Sequence, residues 1–526
     1  MPREPVYDYI IVGAGSAGCV LAHRLTEETS TRVLLLEAGT PDRPWTMHMP
    51  AAFSTWFKSR YDWAYDTAPQ PHLKHRRLYW PRGKVLGGSS SINAMIYTRG
   101  NPYDYDHWQA QGNQGWGFAD VLPYFKKSEH HEGGASVYHG VGGPLHVTGL
   151  RHTSPLSHAF IAAGVECGLR HNDDFNGPVQ EGVGVFQVTQ KGGKRHSAAT
   201  AYLRPAWHRR NLTVRTRAHV GRVLFDRRRA VGILIMENGR PRCLRAAREV
   251  LLCAGAVNSP QLLMLSGVGA TDHLRRLGFS VVMDLPGVGH NLQDHLGVAV
   301  ACTCRQPVTM AGAGTLGNVA RYLLAGQGPL TSNIAEAGGF VKTNPEISAP
   351  DLQLFFAPAY YLNHGFRRPE GHGFTVVAAL LRPQSRGSIT LASSDPFDPP
   401  VIHPDYLREA ADLRTLLQGL KWCRQLTHTA AFAPFRGPEI SPGAAAHSEA
   451  ALIEAIRSTA DTCYHPVGTC RMGYDPLAVV DPSLRVHGVE GLRVVDASIM
   501  PTIVSGTTNA PTLMIAEKAA ALIMGG

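Results

Sequence analysis

The chain has 526 residues, of which 44% are apolar and 17% charged, the latter against a usual share of about 25%; this excludes a disordered chain and supplies material for a large buried core. Its 55 glycines and 36 prolines, above an average combined usage of roughly 12%, exclude a coiled coil and promise many tight loops. The formal charge is +10, but the basic residues are scattered, with Arg227, Arg228 and Arg229 as the dense run. That pattern argues against a nucleic-acid partner and suits an anionic cofactor or weak attraction to anionic lipid.

Nine cysteines without a C-x-x-C pair argue against structural zinc and a disulfide scaffold, so no metal site is expected. Polar Met1 to Pro5 lead straight into Tyr7–Val12, and no run approaches the roughly 18 apolar residues that cross a bilayer. The expectation is a soluble, cytoplasmic protein without a signal peptide.

The N-terminus predicts a strand over 7–12, a turn Gly13-Ala14-Gly15-Ser16-Ala17-Gly18, a helix over 19–25 and a buried strand, Val33 to Leu36, ending in Glu37. Glu37 follows Gly18 by 19 residues, the spacing of a dinucleotide-binding βαβ unit. In such a unit glycines admit the backbone to a pyrophosphate, the helix N-terminus supplies amides, and the acid receives ribose hydroxyls. The spacing does not separate FAD from NAD. A glycine- and serine-rich stretch, Gly83 to Asn93, follows, small enough to let backbone lie against a flat ring.

Residues 212–255 predict a β meander with arginine-rich turns, and a helix is expected to begin near Ser259-Pro260. Residues 310–460 predict a second, sheet-plus-helix domain, with helices over 407–426 and 448–458. The last 35 residues return to strand, loop and helix, the helix running from Ala510 to Met524.

Several blocks together resemble the glucose-methanol-choline (GMC) family of flavin oxidoreductases. They are Arg82 to Asn93 continuing to Tyr97, Gly100 and Asp106; Gly255 to Gly269; Tyr464-His465-Pro466 to Gly473; and Val495-Asp496-Ala497-Ser498 through Thr508-Asn509-Ala510-Pro511-Thr512. The resemblance runs from about residue 6 to residue 524, in the family's order. It implies an α/β fold in which a Rossmann-like FAD-binding domain (1–155, 195–310 and 461–526) is interleaved with an antiparallel-sheet substrate domain (156–194 and 311–460), two domains rather than the three or four that length alone would allow.

By the same resemblance FAD is held by Gly13, Gly15, Ser16, Gly18, Glu37, Ala38, Arg82, Gly87, Gly88, Asn93, Ala94, Val220, Asp496, Ala497, Asn509, Pro511 and Thr512. Some members attach FAD through a histidine where this chain has Ile92, so non-covalent FAD is expected. Alcohol oxidation needs a base for the hydroxyl proton opposite a hydride acceptor, and histidine suits that role. The resemblance makes His465 the base and Asn509 the group that orients the substrate oxygen. Glu336, Trp63 and Tyr464 are the expected substrate residues, able in principle to hold a quaternary ammonium.

Departures narrow the chemistry. Photodecarboxylase members carry a cysteine where Leu381 precedes Arg382-Pro383-Gln384-Ser385, and hydroxynitrile-lyase members use two histidines where this chain pairs His465 with Asn509. The expected reaction is oxidation of an uncharged primary alcohol or related polyol, favoured over choline. Electrons are expected to pass to a quinone-type acceptor, favoured over dioxygen, and the basic surface suggests peripheral association with an inner membrane.

Overall fold

The computed structural model describes residues 6–237 and 240–525; Met1 to Pro5, on which the expectation of no signal peptide partly rests, lie outside them. In chain order, the strands of two large sheets are β1 (Tyr7–Val12) and β2 (Val33–Glu37); β3 (Gly182–Val185); β4 (Leu212–Thr216), β5 (His219–Asp226), β6 (Arg229–Glu237) and β7 (Arg240–Leu252); β8 (Leu296–Cys304), β9 (Ala337–Val341), β10 (Leu352–Ala357) and β11 (Gly373–Leu380); β12 (Arg436–Ser441), β13 (Asp461–Thr462) and β14 (Leu492–Val494). The helices that matter below are α1 (Ser16–Leu25), α2 (Gly255–Leu265), α3 (Leu316–Ala325), α4 (Ala410–Thr427) and α5 (Asn509–Met524).

The first sheet is parallel through β4-β2-β1-β7-β14, using only the C-terminal part of β7. Its central strands are buried, largely apolar runs, with α1 packed on β1 and β2 and α5 packed in turn on α1. The N-terminal part of β7 leaves this layer and pairs antiparallel with β6, which pairs with β5. The expected meander therefore holds for β5 to β7, whereas β4 joins β2 in parallel.

Helix α2 begins at Gly255, four residues before the expected start, and contains Pro260. Proline has no amide to offer the carbonyl one turn back. The Thr469 hydroxyl donates to that carbonyl, Ala256 O, at 2.6 Å, and so makes the interior proline tolerable.

The second sheet is antiparallel, in the order β12-β8-β11-β10-β9-β3, with β13 beside β8. It includes β8, which lies within the 195–310 segment expected in the FAD-binding half. Helix α4 covers it closely: a Cβ on Gly419 would stand 2.8 Å from Ala378 Cβ.

Both sheets deliver residues to one place. Strand β13 pairs with Leu296 and Gly297 of β8, after which the Cys463 amide donates to His295 O at 2.8 Å and the chain turns into Tyr464 and His465. Helix α5 is fixed to α1 by Arg24, whose Nε and Nη2 each donate to the buried Glu517 carboxylate at 2.8 Å. Ser16 and Asn509, the first residues of the two helices, thereby meet, Ser16 Oγ donating to Asn509 Oδ1 at 2.7 Å. Among the described residues, no helix is long and apolar enough to cross a membrane, and no cluster of histidine, cysteine and carboxylate side chains is placed to hold a metal ion.

Candidate active site

A cavity of about 730 Å³ runs from Glu37, Ala38 and Val220, past Gly13, Gly15, Ser16, Ala17, Gly83, Gly88 and Ser89, to Asn93, His465 and Asn509. Glycine is forced at the turn between β1 and α1. Gly13 has φ of +101° and a Cβ there would lie 2.5 Å from Cys253 O; a Cβ on Gly18 would lie 1.9 Å from Gly13 O. Gly15 instead faces open space, with Gly88 Cα at 3.9 Å the nearest atom to a Cβ placed on it. Gly88, at φ +54°, would push a Cβ to 2.7 Å from Gly15 Cα, and the Gly87 amide donates to Ala14 O at 2.8 Å, so the two glycine loops form one wall. Gly18, Gly87 and Pro511 stand behind that wall; the other residues expected at FAD line the cavity.

The Glu37 carboxylate accepts from the amides of Gly39 at 2.8 Å and Ala14 at 3.1 Å. Burial outweighs these donors and pushes its pKa up to about 7. Asp496 accepts from Gly255 N, Ser259 Oγ and Ser498 N, at 2.6 to 2.9 Å, and ties α2 to the segment that follows β14.

At the other end stands His465. Its backbone amide donates to Asp294 Oδ1 at 2.7 Å, and Asp294 also receives the Thr462 hydroxyl at 2.6 Å and the Tyr406 hydroxyl. The preceding Tyr464 is held at φ +72°, a costly conformation for tyrosine, by its amide on Thr462 Oγ1 at 2.8 Å and by Arg82 Nη2 on its carbonyl at 2.6 Å. Arg82 lines the cavity beneath it.

The protonation pattern of His465 follows from its neighbour. His295 is fully buried, its Nε2 is 3.1 Å from Leu381 O, and its Nδ1 is 3.0 Å from His465 Nδ1. A carbonyl only accepts, so His295 Nε2 carries the hydrogen and His295 Nδ1 is the acceptor. His465 must then donate from Nδ1, which leaves its Nε2 as the unprotonated nitrogen of a ring that lines the cavity. Burial pushes the His295 pKa down to about 3, and burial, His295 and Arg82 hold His465 well below its ordinary 6.5.

Two amides are aimed in the same way. Asn509 Oδ1 is taken by Ser16, leaving its NH2 to donate. Asn93 Oδ1 receives Arg195 Nη1 at 2.8 Å and the Met95 amide at 3.0 Å, again leaving the NH2 for the cavity. Arg195 is buried, donates also to Ser90 O and Met47 O, and burial pushes its pKa down to about 9.

One expected substrate residue, Glu336, lies outside the cavity wall. Glu336 is fully buried; its carboxylate accepts from Ser154 N, Ser157 Oγ and Ser332 Oγ at 2.6 to 2.7 Å, and so closes a serine cluster. Trp63 lines the cavity; it stacks on Tyr65 at 5.8 Å, carries Lys84 over its face and meets His219 next to Val220. Tyr464 does line the cavity near His465, its hydroxyl engaged by His364 Nδ1 at 2.8 Å and Tyr361 at 2.9 Å. Sequence reasoning missed His295 and Arg195: one is among 25 histidines, the other among 51 basic residues, and neither carries a local signal of its partner.

The family's N-terminal GMC oxidoreductase profile matches residues 7–297 and its C-terminal profile residues 383–516. The chain belongs to the GMC oxidoreductase family. This GMC protein is 49% identical to alcohol dehydrogenase [acceptor] of Pseudomonas putida, over 99% of this chain and 96% of that protein. It is 47% identical to mitochondrial choline dehydrogenase of Mus musculus, over 99% of this chain and 89% of the other. Among solved structures, pyridoxine 4-oxidase from Mesorbium loti superposes with a TM-score of 0.91 at 33% identity, covering 99% of each chain. The chain is an FAD-dependent oxidoreductase, and its cavity fits that cofactor: Gly15 leaves room where a side chain would intrude, and two helix N-termini converge on the same space.

Proposed function

We propose that this GMC oxidoreductase oxidises an uncharged primary alcohol to the aldehyde, with His465 as base and a quinone-type electron acceptor. The observation that carries this reading is the pairing of an unprotonated His465 Nε2 with the free NH2 of Asn509 on one cavity. FAD, when bound, supplies the hydride acceptor. His465 Nε2 takes the hydroxyl proton, and Asn509 donates to the substrate oxygen as negative charge grows on it. His295 is a positioning residue, holding the ring by its other nitrogen. Ile92 is buried among Phe53, Phe57 and Tyr79, offers no nucleophile, and supports non-covalent FAD. The first sheet's segments hold FAD; those of the second, β8 included, hold the alcohol.

The substrate end is apolar, with Phe53, Phe57, Ile334, Phe355 and Val377 in its wall. Among the described residues that line the cavity, the carboxylates are already engaged: Glu37 by backbone amides, Asp496 by Gly255, Ser259 and Ser498, and Asp461 by His364 Nε2 at 3.0 Å. Each of these carboxylates is held by its own partners, and together with the apolar walls this favours an uncharged alcohol over choline. The acceptor reading is supported by the Pseudomonas putida relative's name. Under anaerobic conditions, aliphatic and aromatic primary alcohols are expected to bleach the flavin while choline does not, with slow recovery in air. Bleaching by choline alone, or full recovery within a turnover, would overturn the substrate or the acceptor respectively.

A further inference from the structure

Helix α3 carries Leu316, Leu323 and Leu324 with 89%, 60% and 89% of their surface exposed. With exposed Ala320 they stand at i, i+4, i+7 and i+8, a single outward stripe, while Val319 and Tyr322 turn inward onto Met49, Ala313 and Leu330. Isolated exposed leucines are ordinary, but three on one face of a ten-residue helix are not. The helix is firmly ended, by Thr315 Oγ1 accepting from Asn318 N and by Gly326 at φ +59°.

Its surroundings are cationic. No acidic residue occurs between Arg305 and Glu336. The C-terminal end packs on the turn between Lys191 and Lys194: a Cβ on Gly193 would lie 2.4 Å from Gly326 O, and one on Gly326 would lie 4.0 Å from Arg151 Nη1. Lys191, Lys194, Arg151 and Arg321 are all exposed.

We propose that α3 is an interfacial helix that lays its leucine stripe into an anionic lipid bilayer, with these four cations at the phosphate headgroups. A second copy is a poorer occupant, because a two-fold contact across this face would set the cations against their own counterparts. The inward side of α3 packs on Met49 to Ala52, and the next residue, Phe53, lines the cavity. The docked face is therefore one layer from the substrate end. This inference does not depend on the assignment of His465.

The test is co-sedimentation of the FAD-loaded protein at low salt with vesicles of phosphatidylcholine plus phosphatidylglycerol, against phosphatidylcholine alone. Binding to the anionic vesicles is expected, reduced about tenfold or more by Leu323→Ser with Leu324→Ser. Lys191→Glu with Lys194→Glu is expected to weaken binding to the anionic vesicles only. Leu324→Ser alone, at a position too exposed to affect folding, is expected to weaken it about threefold. Flavin bleaching by alcohol in solution should be unchanged in every variant, so failure here leaves the catalytic proposal standing. The proposal is overturned if the wild type does not sediment with anionic vesicles, if the leucine variants sediment equally well, or if they instead convert a dimer to a monomer without affecting vesicle binding.

Discussion

Replacing His465 with alanine is expected to leave the protein folded and FAD bound, and to slow anaerobic flavin reduction by a primary alcohol about 10²- to 10⁴-fold. The backbone anchor survives, since the bond to Asp294 comes from the His465 amide and not from its ring. What is lost is the one nitrogen that the pairing with His295 leaves free to take a proton. Stopped-flow absorbance reads the rate directly, and reduction at the wild-type rate would remove His465 from the role of base.

Gly18→Ala is expected to abolish flavin retention and to destabilise the first βαβ unit. A Cβ there would stand 1.9 Å from Gly13 O, a backbone atom fixed in turn by a glycine at φ +101°. Overpacking of this kind costs about 1–3 kcal/mol even where side chains can adjust, and here backbone must move. Gly15→Ala is the control. Its Cβ meets nothing nearer than 3.9 Å, so that variant should keep the thermal midpoint of the FAD-free protein while losing affinity for FAD, whose space it enters. Absorbance ratios of flavin to protein, with a melting curve for each variant, check both outcomes; stoichiometric flavin in Gly18→Ala would show that the close approach of helix and turn is not needed.

The cofactor half was legible because its constraints are local. Gly13, Gly15, Gly18 and Glu37 lie within one βαβ unit, and steric necessity at Gly13 and Gly18, with the open space kept at Gly15, leaves a readable spacing. His465 and Asn509 were readable through the blocks around them, but their chemistry was not. That chemistry rests on contacts across 170 residues in one case and 493 in the other, through His295 and Ser16. Glu336 shows the converse: an acid in a suggestive segment accepts from the Ser154 amide and from the Ser157 and Ser332 hydroxyls, the first two about 180 residues away. The early start of α2 was hidden for the same reason, since Thr469 supports the carbonyl that Pro260 leaves open. Strand β8, inside the segment expected to hold FAD, joins the second sheet, because an apolar run does not say which sheet will take it.

The most direct test of the central claim is the pH dependence of anaerobic flavin reduction by a saturating primary alcohol. His465 accepts a proton only when neutral. Burial, His295 and Arg82 hold its pKa well below the ordinary 6.5, so the neutral form is fully present above 6.5 and is lost only as the pH falls far beneath it. The expected result is a rate that is flat from alkaline pH down through 6.5 and declines only well below it, with no such limb in His465→Ala. A rate that halves at or above pH 6.5, or an identical acidic limb in the alanine variant, would contradict a base held neutral by its buried partner.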